Sequence, residues 1–159
     1  MIEEKIKNIN TLNKIILRLK RQHKIIVFTN GCFDILHYGH AKYLEDAKKK
    51  GDILVVGVNS DSSMRRIKGW LRPLVNEKDR TRLIAALESV DYVITFGEST
   101  PFNLIKRIKP DVLIKGSDWK RANIVGANLV RSYGGRVLTV ALVKGRSTTN
   151  LIKKIAARF

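Results

Sequence analysis

At 159 residues, the chain is long enough for one domain with a single core and leaves no room for a second catalytic domain. Its 44% hydrophobic share contains no apolar run long enough to cross a bilayer, and its single cysteine, Cys32, excludes an internal disulfide or a cysteine-rich zinc cluster. The 31 Lys and Arg against 14 Asp and Glu give a formal net charge of +17, which implies an anionic partner.

The N-terminal segment predicts an amphipathic helix. From Lys5 to Leu19, aliphatic residues recur every three or four positions, so we place a helix within residues 1–23, ahead of a core over 24–159. The segment lacks the apolar stretch and small-residue cleavage site of a secretory signal. With the single cysteine, this indicates a cytoplasmic protein in which residues 1–159 form a single domain.

The rest of the chain alternates short apolar runs with helical patterns. The apolar runs predict strands over 25–29, 53–59, 92–96, 112–115 and 136–143. The helical patterns predict helices over 38–50, 79–89, 101–108, 124–133 and from 148 onward. This alternation is typical of an α/β protein, and we expect a Rossmann-like, doubly wound five-stranded parallel sheet in three layers, with an extra N-terminal helix. Ligands of such sheets bind beyond the carboxyl ends of the strands.

The segment after the first predicted strand has the properties of a phosphate site. It reads Asn-Gly-Cys-Phe-Asp at 30–34 and His-Tyr-Gly-His at 37–40, where a helix begins. Free backbone N–H groups at a helix start favour an anion, and Gly31 and Gly39 let the backbone approach it closely. His37 and His40, three residues apart, would lie on the same side of the helix and donate hydrogen bonds to phosphate.

Two histidines at this spacing are also found as surface pairs or as metal ligands. A zinc site needs third and fourth ligands, but the only other histidine is His23, at the end of the first helix. Metal ligation by this pair is therefore disfavoured. The glycine-containing segment also lacks the Gly-Lys-Ser/Thr of a Walker motif and the Gly-x-Gly-x-x-Gly of a dinucleotide site.

Further motifs extend the pattern along the chain. They are Gly-Cys-Phe-Asp at 31–34, Arg-Arg-Ile-Lys-Gly at 65–69, Arg-Pro at 72–73, Asp-Arg at 79–80, Lys-Gly-Ser-Asp-Trp at 115–119, Ile-Val-Gly-Ala at 124–127 and Gly-Arg-Ser-Thr-Thr at 145–149. With these motifs the chain resembles the nucleotidyltransferases of the His-x-Gly-His class, and among them the heptose 1-phosphate adenylyltransferases. That family is often fused to a sugar kinase, and the resemblance implies the transferase alone.

The resemblance implies transfer of AMP from ATP to a sugar 1-phosphate, giving ADP-heptose and pyrophosphate. His37, His40 and Lys68 would be catalytic, with Lys68 bridging the reacting phosphates from a flexible basic loop. The implied nucleotide-binding residues are Cys32, Phe33, His37, Gly39, His40, Lys68, Arg146, Ser147, Thr148 and Thr149. The implied substrate-binding residues are Asp34, Asn59, Arg72, Arg80, Lys115, Gly116 and Asp118. No protein metal site is expected, because the triphosphate would hold most of the Mg²⁺ shell.

Without the resemblance, several of these residues have plainer interpretations. The Ser-Thr-Thr at 147–149 suits a helix cap equally well, and Lys68 suits a solvated lysine. Trp119, which the resemblance places beside the pocket, suits a core residue, and Asp34 suits a side chain that stabilises its turn.

The chain also departs from the heptose enzymes. Lys144 and Arg146 stand where those enzymes often have an acidic residue and a cysteine, and Leu142 stands where glycerol 3-phosphate relatives have an arginine. A bulky Trp70 occupies the loop expected to close over substrate. The open alternatives are a cytidylyltransferase for glycerol 3-phosphate, an FAD-forming adenylyltransferase, a nucleotide sensor and a basic nucleic-acid-binding module. The last is disfavoured, because few aromatic residues lie between the basic ones. A homodimer is expected by analogy only.

Overall fold

The apolar runs of the sequence form a five-stranded sheet in the computed structural model, which describes residues 1–158. The strands are β1 (Ile26–Gly31), β2 (Ile53–Asn59), β3 (Tyr92–Phe96), β4 (Val112–Gly116) and β5 (Arg136–Val140). They lie in the order β3-β2-β1-β4-β5, and every neighbouring pair is parallel. Continuous runs of Val, Ile and Leu suit strands that are covered on both faces. The predicted Rossmann-like α/β fold is confirmed.

Helices cover both faces of this sheet. They are α1 (Ile2–Lys5), α2 (Ile9–Arg21), α3 (Tyr38–Lys48), α4 (Asp61–Lys68), α5 (Glu77–Ala85), α6 (Phe102–Ile108), α7 (Ala127–Ser132) and α8 (Thr148–Ala156), with a 3₁₀ turn at Arg121–Asn123. Alternate strand residues point to opposite faces, so Phe28 packs in a core with α2, α6 and α7, and Val27 packs in a core with α3 and α5. The result is the predicted three-layer arrangement.

The N-terminal segment is two helices where the sequence predicted one. Helix α1 ends at Lys5, and α2 begins at Ile9. Between them, Ile6 forms a parallel bridge with Val93 of β3, and the Lys7 N–H donates to the Val93 carbonyl at 2.9 Å. Asn8 then caps α2 by accepting from the Thr11 N–H. The pairing with the edge of β3 and the cap at Asn8 together divide the predicted helix into two.

Lys68 ends a helix, and the expectation of a flexible loop at this position is wrong. Helix α4 begins after Ser60, whose hydroxyl accepts from the Ser63 N–H at 3.1 Å, and it buries Ser63 and Met64. The sequence of this helix is mostly polar, which hid its periodicity. Smaller shifts affect other ends: β5 stops at Val140, three residues early, and the helix predicted over 124–133 begins only at residue 127.

The order of strands places a crevice beside β1. Strand β1 pairs with β2 over six residue pairs but with β4 over only two, Val27 with Val112 and Phe28 with Leu113. The carboxyl-terminal halves of β1 and β4 therefore diverge at the point where the strand order reverses, which is where ligands bind in this fold. None of the helices within residues 1–158 has the length and apolar character needed to span a membrane.

Candidate active site

Two adjoining cavities open at this crevice. The first, of about 580 Å³, lies towards α4 and the segment after β3, and the second, of about 390 Å³, lies towards β5 and α8. The residues that line both are Asn30, Gly31, Cys32, Phe33, His40, Lys68, Lys115, Trp119 and Thr148. The cavities therefore form one cleft with two lobes, a shape suited to two substrates that meet in the middle.

The two histidines stack at the start of α3. His37 precedes the helix as its N-cap residue, and its ring lies 3.8 Å from the ring of His40 at an angle of 20° between planes. A Cβ atom on Gly39 would lie 3.0 Å from the His37 ring, so glycine permits this packing. Both nitrogens of His37 and Nδ1 of His40 are buried and have no hydrogen-bond partner within residues 1–158. These nitrogens can bond to a ligand in the cleft.

Both imidazoles are neutral near pH 7. Burial lowers the pKa of His40 to about 4, assisted by the proximity of His37. Burial also lowers the pKa of His37, and the positive charge of Arg146 adds to this shift. A neutral imidazole donates one N–H and keeps one lone pair. A phosphate group in the cleft would therefore meet at most one donor from each ring, and neither ring carries a permanent charge.

The amino terminus of α8 lies at the second lobe, as does the amino terminus of α3. The Ser147 hydroxyl caps α8 by accepting from the Asn150 N–H at 3.1 Å, and Thr148 lines both cavities. Arg146, just before the cap, lines the second cavity. The amino termini of α3 and α8 thus both lie at this lobe, where unpaired N–H groups and the helix dipoles favour an anion.

Two lysines lie where the lobes meet. Lys68, the last residue of α4, and Lys115, on β4, line both cavities. The Lys115 ammonium donates to Asn30 Oδ1 at 2.6 Å and lies 5.6 Å from the Trp119 ring centroid. Its burial lowers its pKa to about 8. This junction is therefore suited to two negatively charged groups that approach each other.

The first lobe has an arginine held by a buried carboxylate. Arg72 lines this lobe, and its Nε lies 2.8 Å from Asp34 Oδ2. The other oxygen of Asp34 accepts from the backbone N–H groups of Leu74 and Val75 at 2.8 and 3.0 Å. Asp34 therefore orients Arg72 and part of the connection between α4 and α5.

The structure brings together every predicted site residue except Arg80. Those lining the first lobe include Asp34, Asn59, Arg72 and Thr149, those lining the second include His37, Gly39, Gly116, Asp118, Arg146 and Ser147, and Cys32, Phe33, His40, Lys68, Lys115 and Thr148 line both.

The expectation that Arg80 binds substrate is corrected by its burial. Its side chain is 0% exposed and lines neither cavity. The guanidinium donates to the carbonyls of Cys32 and Val75 and pairs with Asp61. Helix α5 turns this residue towards the protein interior, where its hydrogen bonds are made within the chain.

Several residues of the cleft were missed from the sequence. Ser99, Thr100 and Pro101 line the first lobe, and Tyr43 lines the second. The first three follow β3, so the rule that polar residues after strands form the site would have identified Ser99 and Thr100. Tyr43 lies within α3 and does not follow a strand, and its hydroxyl hydrogen-bonds to the Thr29 hydroxyl at 2.7 Å.

A family model described as cytidylyltransferase-like matches residues 28–155. The chain belongs to the cytidylyltransferase-like family. Members of this family are nucleotidyltransferases, and the two-lobed cleft with its stacked histidines is the candidate active site of such an enzyme.

Curated relatives are similar in sequence to this chain over almost all of its length. The chain is 54% identical over 96% of its residues to the bifunctional protein HldE of Geobacter sulfurreducens and 55% identical over 96% to that of Geobacter metallireducens. It is 50% identical over 99% to that of Syntrophotalea carbinolica. It covers 31%, 31% and 32% of these proteins, so it spans about a third of their length.

Two solved structures are similar to this chain in fold. A lipopolysaccharide core biosynthesis protein from Thermoplasma volcanium is 36% identical, with a TM-score of 0.61, and the match covers 77% of this chain and 99% of that one. A pantoate-beta-alanine ligase from Francisella tularensis shares only 16% identity, with a TM-score of 0.62 over 96% of this chain and 78% of that one. The second comparison shows a shared fold.

Proposed function

We propose that this chain transfers AMP from ATP to a heptose 1-phosphate and releases pyrophosphate, forming ADP-heptose. The observation that carries this proposal is the similarity to HldE proteins, with 50–55% identity over at least 96% of the chain. The motifs shared with heptose 1-phosphate adenylyltransferases point the same way, as does the similarity to a lipopolysaccharide core biosynthesis protein.

In this proposal the triphosphate of ATP occupies the second lobe. The amino termini of α3 and α8 and the N–H groups of His37 and His40 would bind its oxygens. An oxygen of the sugar phosphate attacks the α-phosphorus, the bond from this phosphorus to the bridging oxygen breaks, and pyrophosphate leaves on the opposite side. The imidazoles stabilise the charge that builds on the transferred phosphoryl group.

The acceptor would then occupy the first lobe. Arg72 and Asn59 line this lobe and offer donors to the sugar and its phosphate, while Lys68 and Lys115 at the junction lessen the repulsion between the two phosphates. Such a reaction asks mainly for alignment and charge stabilisation, and both come from groups that the fold already holds in place.

We propose that Mg²⁺ arrives with ATP and supplies further neutralisation of the triphosphate. Within residues 1–158, no group of three or more His, Cys, Asp or Glu side chains is arranged to hold a metal ion. The acidic side chain lining the second lobe is Asp118, which is consistent with an ion held mostly by the nucleotide. A cytoplasmic location and a homodimer remain predictions.

A pyrophosphate-release assay tests the function. The assay pairs ATP or CTP with heptose 1-phosphate, glycerol 3-phosphate or FMN, and we expect kcat/KM to be at least about tenfold higher for ATP with heptose 1-phosphate than for any other pair. Preference for CTP with glycerol 3-phosphate, or for ATP with FMN, would replace the proposal with the corresponding enzyme. ATP binding without pyrophosphate from any acceptor would indicate a nucleotide sensor, and salt-sensitive DNA or RNA binding without turnover would indicate a nucleic-acid-binding module.

A further inference from the structure

The connection between α4 and α5, residues 69–76, contributes Arg72 to the lining of the first lobe. It begins directly after Lys68, the last residue of α4, so a shift of this connection would displace Arg72 and disturb the end of α4. Its large apolar side chains contribute little to holding it in place, because Trp70, Leu71 and Leu74 are 83%, 68% and 57% exposed. Some other interaction must fix this segment to the body of the protein.

Asp34 supplies one half of that interaction. This carboxylate belongs to the segment after β1, and its side chain is only 2% exposed. It accepts the N–H groups of Leu74 and Val75 and pairs with the guanidinium of Arg72. A buried carboxylate is tolerated when one of its oxygens accepts hydrogen bonds and a cation lies beside the other. These contacts attach the α4–α5 connection to the segment after β1, which lines the cleft.

Arg80 supplies the other half from the opposite side. Its Nε donates to the Val75 carbonyl at 2.9 Å and one Nη donates to the Cys32 carbonyl at 2.5 Å. The second Nη donates to Asp61, the first residue of α4, at 2.8 Å. Val75 is thus held by its N–H through Asp34 and by its carbonyl through Arg80. The same two side chains connect the start of α4, the end of β1 and the α4–α5 connection.

We propose that Asp34 and Arg80 are positioning residues that form a polar clasp, defined by these contacts, and hold Lys68 and Arg72 on the cleft wall. Asp34 thereby acts through the cations and not as a ligand of acceptor hydroxyls. The predicted effect of the clasp on turnover rests on the proposed function. Its predicted effect on the α4–α5 connection does not, because that effect is measurable without any substrate.

Hydrogen exchange tests the structural part. Asp34→Ala removes the acceptor for two N–H groups of residues 69–76, so we expect the amides of Leu74 and Val75 to exchange at least about tenfold faster. The matched control is Asp91→Ala, because Asp91 likewise accepts a backbone N–H, that of Leu54, and pairs with Lys48, but at the amino edge of the sheet. Unchanged protection of residues 69–76 in Asp34→Ala, or equal loss of it in Asp91→Ala, would overturn the clasp.

A double-mutant cycle tests the functional part. Asp34→Asn keeps an oxygen for the N–H groups but removes the charge that orients Arg72, and we expect kcat to fall about tenfold in the otherwise native chain. In an Arg72→Ala background the same substitution should lower kcat less than about twofold, since the cation that Asp34 orients is gone.

Fully additive losses would assign Asp34 a role apart from Arg72 and overturn the proposal, as would a kcat for Asp34→Asn equal to that of Asp91→Asn. Arg80→Lys is the second variant, because a lysine keeps the charge but its compact ammonium lacks the planar guanidinium whose separate nitrogens reach three partners. It should show the same dependence on Arg72. If the native chain released no pyrophosphate with any acceptor, the proposed function would fail while the exchange experiment still decided the clasp.

Discussion

Individual residues of the cleft differ in how the protein sets their charge. Burial keeps His37 and His40 neutral, while Lys115 titrates close to neutral pH because its ammonium is also buried. A neutral donor binds a phosphate in the ground state less strongly than a cation would. The imidazoles therefore suit a role that strengthens as charge develops during the transfer.

His40→Ala is expected to lower kcat by about 100-fold or more while changing the Kd for ATP less than about fivefold, because the imidazole acts mainly on the transition state. Single-turnover rates and equilibrium ATP binding measure the two quantities. Tyr38→Phe, on the exposed side of the same helical turn, is the control and should leave both unchanged. A loss confined to ATP affinity would assign His40 to ground-state binding.

The lowered pKa of Lys115 predicts that kcat/KM declines on the alkaline side of its pH profile. With a pKa lowered to about 8, its ammonium is charged below that pH and neutral above it, so kcat/KM, which reports groups of the free enzyme, should fall as pH rises through 8. The decline approaches tenfold per pH unit. In Lys115→Arg the guanidinium stays charged, and the limb should move beyond about pH 10. A limb that persists near pH 8 in this variant belongs to another group.

Helix α8 links the stability of an element to binding. Its first residues line the cleft, yet none of its residues is buried, so the Ser147 cap has a large share in keeping its first turn formed. The sequence left a helix cap and a phosphate site as equal interpretations of Ser-Thr-Thr at 147–149. In the structure Ser147 caps the helix and also lines the second lobe, and two substitutions separate these roles.

Ser147→Ala removes the cap and should speed exchange of the Asn150 amide about fivefold, which corresponds to about 1 kcal/mol. Ser147→Asp keeps a capping oxygen and should preserve this protection, but its negative charge at the lobe should raise the Kd for ATP at least about fivefold. Hydrogen exchange and ATP titration provide the two readouts. If Ser147→Asp bound ATP as well as the native chain, the triphosphate would lie elsewhere.

Elements were predictable from sequence where local pattern and burial agree. The strands over 53–59 and 92–96 were predicted with their observed ends, because a parallel strand buried on both faces leaves a continuous apolar run. Helix α4 was missed because its burial involves Ser63, which no apolar pattern reveals. The break at Asn8 depends on the edge of a strand more than 80 residues away along the chain.

Some residues of the candidate site were likewise predictable from sequence, and others were not. Residues that follow strands in known motifs reach the cleft, as sequence order and the fold require. Arg80 was misplaced because nothing local shows which side of α5 faces the interior, or that the Cys32 carbonyl would accept from its guanidinium. Pairings across 40 to 50 residues of chain, such as those of Asp34 and Arg80, become visible only in the folded protein.

At the scale of the whole molecule, the carboxyl-terminal part of the chain, which supplies one side of the cleft, is strongly basic. Residues 115–158 contain ten Lys and Arg but only one acidic residue, Asp118. Lys120 follows Trp119, and Lys144 follows Val143, both residues that line the second lobe. The ion pairs of residues 1–158 involve neither of these two lysines. They are therefore available to attract polyanionic substrates.

Charge reversal at the cleft should weaken ATP binding in a salt-dependent manner. The double variant Lys120→Glu with Lys144→Glu is expected to raise the Kd for ATP about tenfold at low ionic strength, with the difference shrinking towards 1 M salt, where the screening length is about 3 Å. The matched control is Lys24→Glu with Lys50→Glu, an equal change at exposed positions beside the amino ends of β1 and β2. Equal effects in both pairs would mean that net charge, and not its location, governs affinity.

The bridge between Ile6 and Val93 has a consequence for solubility during folding. Strand β3 is an outer strand, and its free side would offer unpaired N–H and C=O groups to any other chain. Ile6 and Lys7 occupy part of that side, with Lys7 donating to the Val93 carbonyl. The first residues of the chain thus shield the sheet from intermolecular strand pairing, a protection against aggregation that acts far from the cleft.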